Sequence, residues 1–133
     1  MSNSVATHLM FYGSASKAIK LYKSVFKEFK IQDLQKYGDS DGAMAGKVKL
    51  ARIEFAGHDL IIIDSPAVHN FTFTPAMSIF IDFEDVADLE RAFKVLSENG
   101  KVFMPLDNYG FSIRFGWVQD RYGVSWQLNL RPE

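Results

Sequence analysis

The apolar pattern of this chain changes its period in a fixed order, and it does so twice. Alternation with period two marks strands and recurrence near 3.6 marks helices. Ala6 to Tyr12 is a short apolar segment closed by Gly13, as expected of a strand. From Ala15 onward, Ala15, Ala18, Ile19, Leu21, Tyr22, Val25 and Phe26 recur at spacings of three and four, which predicts a helix with one apolar face. Ser14 stands where an N-cap belongs. Lys17, Lys20, Lys23 and Lys27 lie on the other side and read as a solvated face. Strands follow at Phe29 to Tyr37, Lys47 to Phe55 and Leu60 to Asp64, with a loop at Gly38 to Gly42 and a tight hairpin at Ala56-Gly57-His58. Pro66 closes this half, and Asn70 to Pro75 reads as a crossover.

The second half repeats the order. Met77 to Phe83 reads as a strand. Asp85 can cap a helix whose apolar stripe is Val86, Leu89, Ala92, Phe93 and Leu96, with Asp88 and Glu90 favoured near its start and Asn99-Gly100 as its stop. Val102-Phe103-Met104 is a strand expected to end at Pro105, Ile113 to Gln119 is another, and Val124 to Leu130 is the last, after a hairpin turn at Asp120 to Gly123. Strand–helix–strand–strand–strand, twice, predicts an α+β chain of two modules at about 5–70 and 76–131. Halves of this size bury little surface alone, so they are expected to share a core as one domain over 1–133.

Composition removes several functions. The 133 residues carry 15 Lys and Arg against 16 Asp and Glu, with no basic block, so a nucleic-acid partner is not expected. Leu60 to Ile63 is the longest apolar run and Met1 to Ser4 has no basic start, so neither a membrane span nor a signal peptide is read. With no Cys there is no thiolate nucleophile, no cysteine-bound zinc and no disulfide, which is compatible with a reducing cytoplasm. His8, His58 and His69 remain as imidazoles.

Strand faces point to a site. In the first strand His8, Met10 and Tyr12 share one face and Leu9 and Phe11 the other. Arg52 and Glu54 share a face of the third strand, and Ser78, Phe80 and Asp82 share one in the second half. Arg114 sits opposite Ile113, Phe115 and Trp117, and Gln127 and Asn129 alternate with Trp126, Leu128 and Leu130. The expected site is a cleft lined by His8, Met10, Tyr12, Arg52, Glu54, Ser78, Phe80, Asp82, Arg114, Gln127 and Asn129. A few polar groups among apolar and aromatic ones suit a small-molecule ligand better than a wet sheet face rich in Lys and Glu would. Trp117 and Trp126 share parity with apolar neighbours and read as core. Tyr109-Gly110-Phe111 reads as a loop at the cleft mouth, His58 as a surface turn residue and His69 as part of an exposed loop. His8 reads as a hydrogen-bonded pocket residue rather than a base, and no Ser lies in a nucleophile-elbow context.

Thr7-His8-Leu9-Met10-Phe11-Tyr12-Gly13 with Ala18-Ile19-Lys20-Leu21-Tyr22 resembles the opening of the vicinal-oxygen-chelate (glyoxalase/bleomycin-resistance/dioxygenase) superfamily. Phe115 to Leu128, reading FGWVQDRYGVSWQL, resembles its PhnB-like family, often labelled as similar to 3-demethylubiquinone methyltransferase; Met104-Pro105-Leu106 and Asp64-Ser65 fit it too. The resemblance implies paired βαβββ modules forming a curved mixed sheet around a cleft, and a homodimer. It also implies metal-ligand positions at His8, near Ile62, at Ser78 and at Gln127. Only His8 among these is a good ligand, so no metal cofactor is expected; His8 and Gln127 would serve only if one were found. A methyltransferase would need a Gly-rich loop opening a helix, and Gly42 to Gly46, the densest glycine stretch, is not followed by one. The resulting expectation is a metal-independent small-molecule binder; a metal-dependent lyase, isomerase or dioxygenase is the alternative, and a protein-interaction role with a vestigial cleft is the third.

Overall fold

A computed structural model describes residues 2–132. It divides into two compact units, one up to Phe71 and the other from Thr72. The first contains β1 (Thr7–Phe11), α1 (Ala15–Val25), β2 (Phe29–Lys36), β3 (Val48–Phe55) and β4 (His58–Asp64). The second contains β5 (Ile79–Phe83), α2 (Val86–Ser97), β6 (Lys101–Asp107), β7 (Phe115–Gln119) and β8 (Ser125–Leu130). The repeated βαβββ order predicted from periodicity is the observed one. Each unit has one four-stranded mixed sheet, ordered β1-β4-β3-β2 and β5-β8-β7-β6. The pairs β1/β4 and β5/β8 are parallel and the others antiparallel.

In the first unit α1 lays Ala15, Ala18, Ile19, Tyr22 and Val25 against the sheet, where Leu9, Phe11, Ile53, Phe55, Leu60 and Ile62 are buried. Phe26, Phe29 and Phe55 pack ring against ring, with centroids 4.9 Å apart for Phe26–Phe55 and 5.5 Å for Phe29–Phe55. The β3–β4 connection is a two-residue hairpin with positive φ at both Ala56 (50°) and Gly57 (86°), as the twist of adjoining strands demands. His58 is therefore the first residue of β4, not a turn residue, and its Nε2 lies 2.8 Å from Thr7 Oγ1.

Ser14 occupies the N-cap position of α1 but makes no capping bond with its side chain. The cap comes from the end of β4. Asp64 Oδ1 accepts from the backbone N–H of Gly13 (2.8 Å) and of Ala15 (3.0 Å), and Oδ2 accepts from Val48 N–H (3.0 Å). A buried carboxylate at a helix N-terminus gains from the helix dipole, and these bonds offset its desolvation. The chain expected as loop at Gly38 to Gly42 is a 3-10 turn, Asp39–Met44, closed by Asp41, whose Oδ2 accepts from Gly38 N–H at 2.7 Å.

The second unit departs from expectation at β6, which runs through Pro105 to Asp107. Because β6 is an edge strand, the missing N–H of Pro105 need not break a ladder, and the register shifts between Met104 and Asp107 to accommodate it. The core here is Leu89, Ala92 and Leu96 of α2 over Val118, Trp126 and Leu128. Asp85 caps α2 as predicted, accepting from Ala87 N–H at 3.2 Å. Gly116 is where helix meets sheet: a Cβ there would stand 2.6 Å from Phe93 Cε2 and 2.9 Å from Leu106 Cδ2.

Two measurements check these assignments. Asp64→Ala leaves three backbone donors without an acceptor and should lower urea-unfolding stability by about 3 kcal/mol. Asp64→Asn should not restore it, since its amide sets donor against donor. Gly116→Ala should cost about 1–3 kcal/mol by overpacking, and Phe93→Leu in that background should recover part of the loss.

Candidate functional site

Strand pairing decides which side chains share the face turned away from each helix. In the first unit His8 lies beside Ile61, Ile61 opposite Arg52, and Arg52 opposite Asp33. The next row runs from Met10 to Ile63, and Glu54 pairs with Asp59 and Lys30. His8, Met10, Arg52 and Glu54 therefore share one face, as their parity predicted. Glu54 is partly spent on its own hairpin, since its Oε1 accepts from Gly57 N–H at 3.0 Å. Tyr12 follows β1 and donates its hydroxyl to the Phe71 carbonyl at 2.7 Å. His69 stacks on Phe71 with ring centroids 5.1 Å apart.

In the second unit Phe80 pairs with Gln127 and Gln127 with Trp117, while Asp82 pairs with Asn129 and Asn129 with Phe115. Ser78 immediately precedes β5 and joins this face through hydrogen bonds. Its Oγ lies 2.6 Å from Ser125 Oγ and accepts from Gln127 Nε2 at 3.2 Å, while Trp117 Nε1 donates to Ser125 Oγ at 2.8 Å. One hydroxyl proton closes the Ser78–Ser125 bond, so the other serine proton is left to donate. Farther along, Asn129 Nδ2 donates to Asp82 Oδ1 at 2.9 Å. Phe80 lies 6.3 Å from Phe115, whose ring meets Phe111 at 5.0 Å edge-on.

Two sequence expectations are corrected. Arg114 is not on this face: it precedes β7, and its Nη2 lies 3.5 Å from Glu90 Oε2 on α2. Trp117 is not core. It shares the face with Gln127 and Phe80 and is half-buried, while Trp126 alone of the two is fully buried under α2. The parity of β7 is inverted because Gly116 and Val118, not the aromatic residues, pack toward the helix. The signal that reveals this is Gly116 itself, a residue without a side chain in the middle of an apolar strand. Phe115 and Trp117 are thus site-face residues that parity reasoning missed, having taken the single polar residue Arg114 as the marker.

The donor set implied for a metal does not fit one. Ile62 is fully buried on the helix side, and its neighbour Ile61, which is on the His8 face, is equally apolar. Ser78 and Gln127 are neutral and hydrogen-bonded to each other. Asp64 is committed to three backbone N–H groups. Among the described residues no three His, Asp or Glu side chains are grouped as a metal ion would need. Nor does a glycine-rich loop open a helix: Gly42 to Gly46 leads into β3, and the amides at the start of α1 already hold Asp64.

With the fold and faces in hand, comparison with known proteins places the chain. The sequence model of the 3-demethylubiquinone-9 3-methyltransferase family matches residues 3–129. The chain belongs to this family. It is 40% identical to the PhnB protein of Bacillus cereus, over 97% of this chain and 100% of that one, with a TM-score of 0.91. It is 28% identical to YjdN of Escherichia coli over 80 residues, 60% of this chain; the match spans 54% of that curated relative, about half its length. A glyoxylase/bleomycin resistance protein/dioxygenase domain from Frankia shares the fold, with a TM-score of 0.69 at 13% identity over 100% of this chain and 94% of that one. The chain is thus PhnB-like, with the fold of a glyoxylase/bleomycin resistance protein/dioxygenase domain. No described helix is long and apolar enough to cross a membrane.

The two tryptophans check the face assignment. Acrylamide should quench the wild-type protein in two components, and Trp117→Phe should remove the accessible one and leave only the protected Trp126. Equal quenching of Trp117→Phe and Trp126→Phe would place both rings alike.

Proposed function

We propose that this protein binds a small, largely apolar or aromatic molecule, without a metal, on the sheet face that carries Phe80, Trp117 and Gln127. The observation that carries this reading is the chemistry of that face: aromatic rings stand beside a ladder of neutral hydrogen-bonding groups, Trp117–Ser125–Ser78–Gln127, with one serine proton to give. Binding sites combine mostly apolar walls with a few placed polar groups. The ladder holds its members in fixed geometry, which lowers the ordering cost when a ligand arrives. His8, Met10 and Arg52 supply a comparable mixed face in the first unit. A metal-free site is supported by the donor set, which offers one imidazole and two neutral groups at the implied positions. The same reading assigns a homodimer, as the family resemblance implies, in the cytoplasm, with which a chain without Cys is compatible.

Protein purified without chelator should contain no stoichiometric zinc, nickel, manganese or iron by elemental analysis. A thermal-shift screen of small aromatic and polar-aromatic compounds should find ligands that raise Tm with concentration, as RT ln(1 + [L]/Kd) requires. Those hits should lose most of their shift in Trp117→Ala and keep it in Lys17→Ala. One bound metal ion per chain, with activity lost on chelation, would replace this reading with the metal-dependent alternative.

A further inference from the structure

The second unit contains a cleft of about 480 Å³ that lies at the ends of β5 and β8 and against the 110–113 segment. Its walls include Glu84, Phe111, Ile113, Asn129 and Arg131. We propose that this cleft is a binding site for a ring compound carrying an N–H or O–H donor, with Asn129 Oδ1 as the group that receives the donor. The proposal rests on the reading of the β5-β8-β7 face as a ligand face, and extends it to a second subsite with a stated chemistry.

Three observations converge on it. Asn129 Oδ1 is buried and accepts no hydrogen bond, and it is the one such side-chain atom among the described residues. The other end of the same amide is fixed, because Nδ2 donates to Asp82 Oδ1 at 2.9 Å; the amide cannot turn over to relieve its oxygen without losing that bond. A buried acceptor without a partner is costly, and such groups in folded proteins call for an explanation, of which ligand binding is one.

The second observation is the apolar wall. Phe111 is 70% exposed and Ile113 65% exposed. Phe111 is nevertheless held in place, stacked on Tyr109 at 6.2 Å and edge-on to Phe115 at 5.0 Å. Tyr109 is in turn anchored by its hydroxyl, which donates to the Pro105 carbonyl at 2.6 Å. A large apolar ring that is both exposed and positioned is a surface on which another ring can stack. The third observation is charge. The two ionic groups of the wall oppose each other, with Arg131 Nη1 3.7 Å from Glu84 Oε1, and Asp82 stands beside Asn129. The one cation of the wall is opposed by Glu84, and the nearest unsatisfied group is an acceptor. That selects a hydrogen-bond donor over a carboxylate or phosphate. The cleft joins the face described above at Asn129, which pairs with Phe115 and Asp82.

The test uses the full chain, ¹⁵N-labelled, titrated at millimolar concentrations with benzamide, which carries a ring and an amide donor, and with methyl benzoate, which has the ring and no donor. Benzamide should shift the amides of 110–113 and the Asn129 side-chain NH₂ in a saturable way, and bind about tenfold more tightly than methyl benzoate. Asn129→Leu should bring the two probes to equal affinity. Phe111→Ser, a change on an exposed position that leaves the fold intact, should weaken both. Equal binding of the two probes to the wild type, or benzamide shifts that avoid 110–113 and Asn129, would overturn the proposal. Trp117 fluorescence separates the two ideas: a response there with no shift at Asn129 retains the ligand face and removes the cleft subsite, and shifts at Asn129 with a silent Trp117 do the reverse.

Discussion

Each unit depends on one buried carboxylate. Asp64 is 1% exposed and Asp120 2% exposed, and both spend their oxygens on hydrogen bonds inside their own unit. Asp64 ties the end of β4 to the start of α1 and to the first residue of β3. Asp120 ties the end of β7 to its hairpin through Tyr122 and Val124 N–H, and to the core through Trp126 Nε1 at 2.8 Å. A charge removed from water is tolerated only when it is fully hydrogen-bonded, so these residues fix their surroundings as strictly as apolar packing does. The helix of the first unit and the last hairpin of the second take their positions from them.

With those anchors in place, the sheet faces divide the labour. One face of each sheet is closed by a helix and carries the large apolar side chains. The other carries imidazole, charged and aliphatic groups in the first unit and a mixture of aromatic, amide and hydroxyl groups in the second. Gly116 is the hinge of that division in the second unit. By letting Phe93 and Leu106 approach the backbone of β7, it turns Phe115 and Trp117 to the opposite face. The candidate site is therefore a consequence of packing on the far side of the sheet.

How much of this was legible in the residues varies with the physics involved. The element order was readable because burial on one face imposes a period on each segment, and eight strands and two helices repeat it. Asp85 as a cap was readable because the cap and its helix are neighbours in sequence. The cap of α1 was not: Ser14 has the right chemistry and the right place, yet Asp64, far along the chain, takes the role. The end of β6 was misplaced because Pro breaks a ladder only where its N–H is needed, and whether a strand is central or at an edge is set by pairing. Arg114 was misassigned for a related reason, since one polar residue in an apolar strand says nothing about its face until the strand's partner is known.

The linear order of residues determined the period of every segment, and with it the two βαβββ units, the apolar face of each helix and the family to which the chain belongs. It also determined the poverty of metal-ligating groups at the positions where the resemblance calls for them. Tertiary structure alone decided which polar groups meet. The Trp117–Ser125–Ser78–Gln127 ladder joins residues up to 49 positions apart, and the Asn129–Asp82 bond spans 47. Hydrogen bonds act over a few ångströms, so their partners are chosen by strand register, and register depends on the packing of the whole sheet.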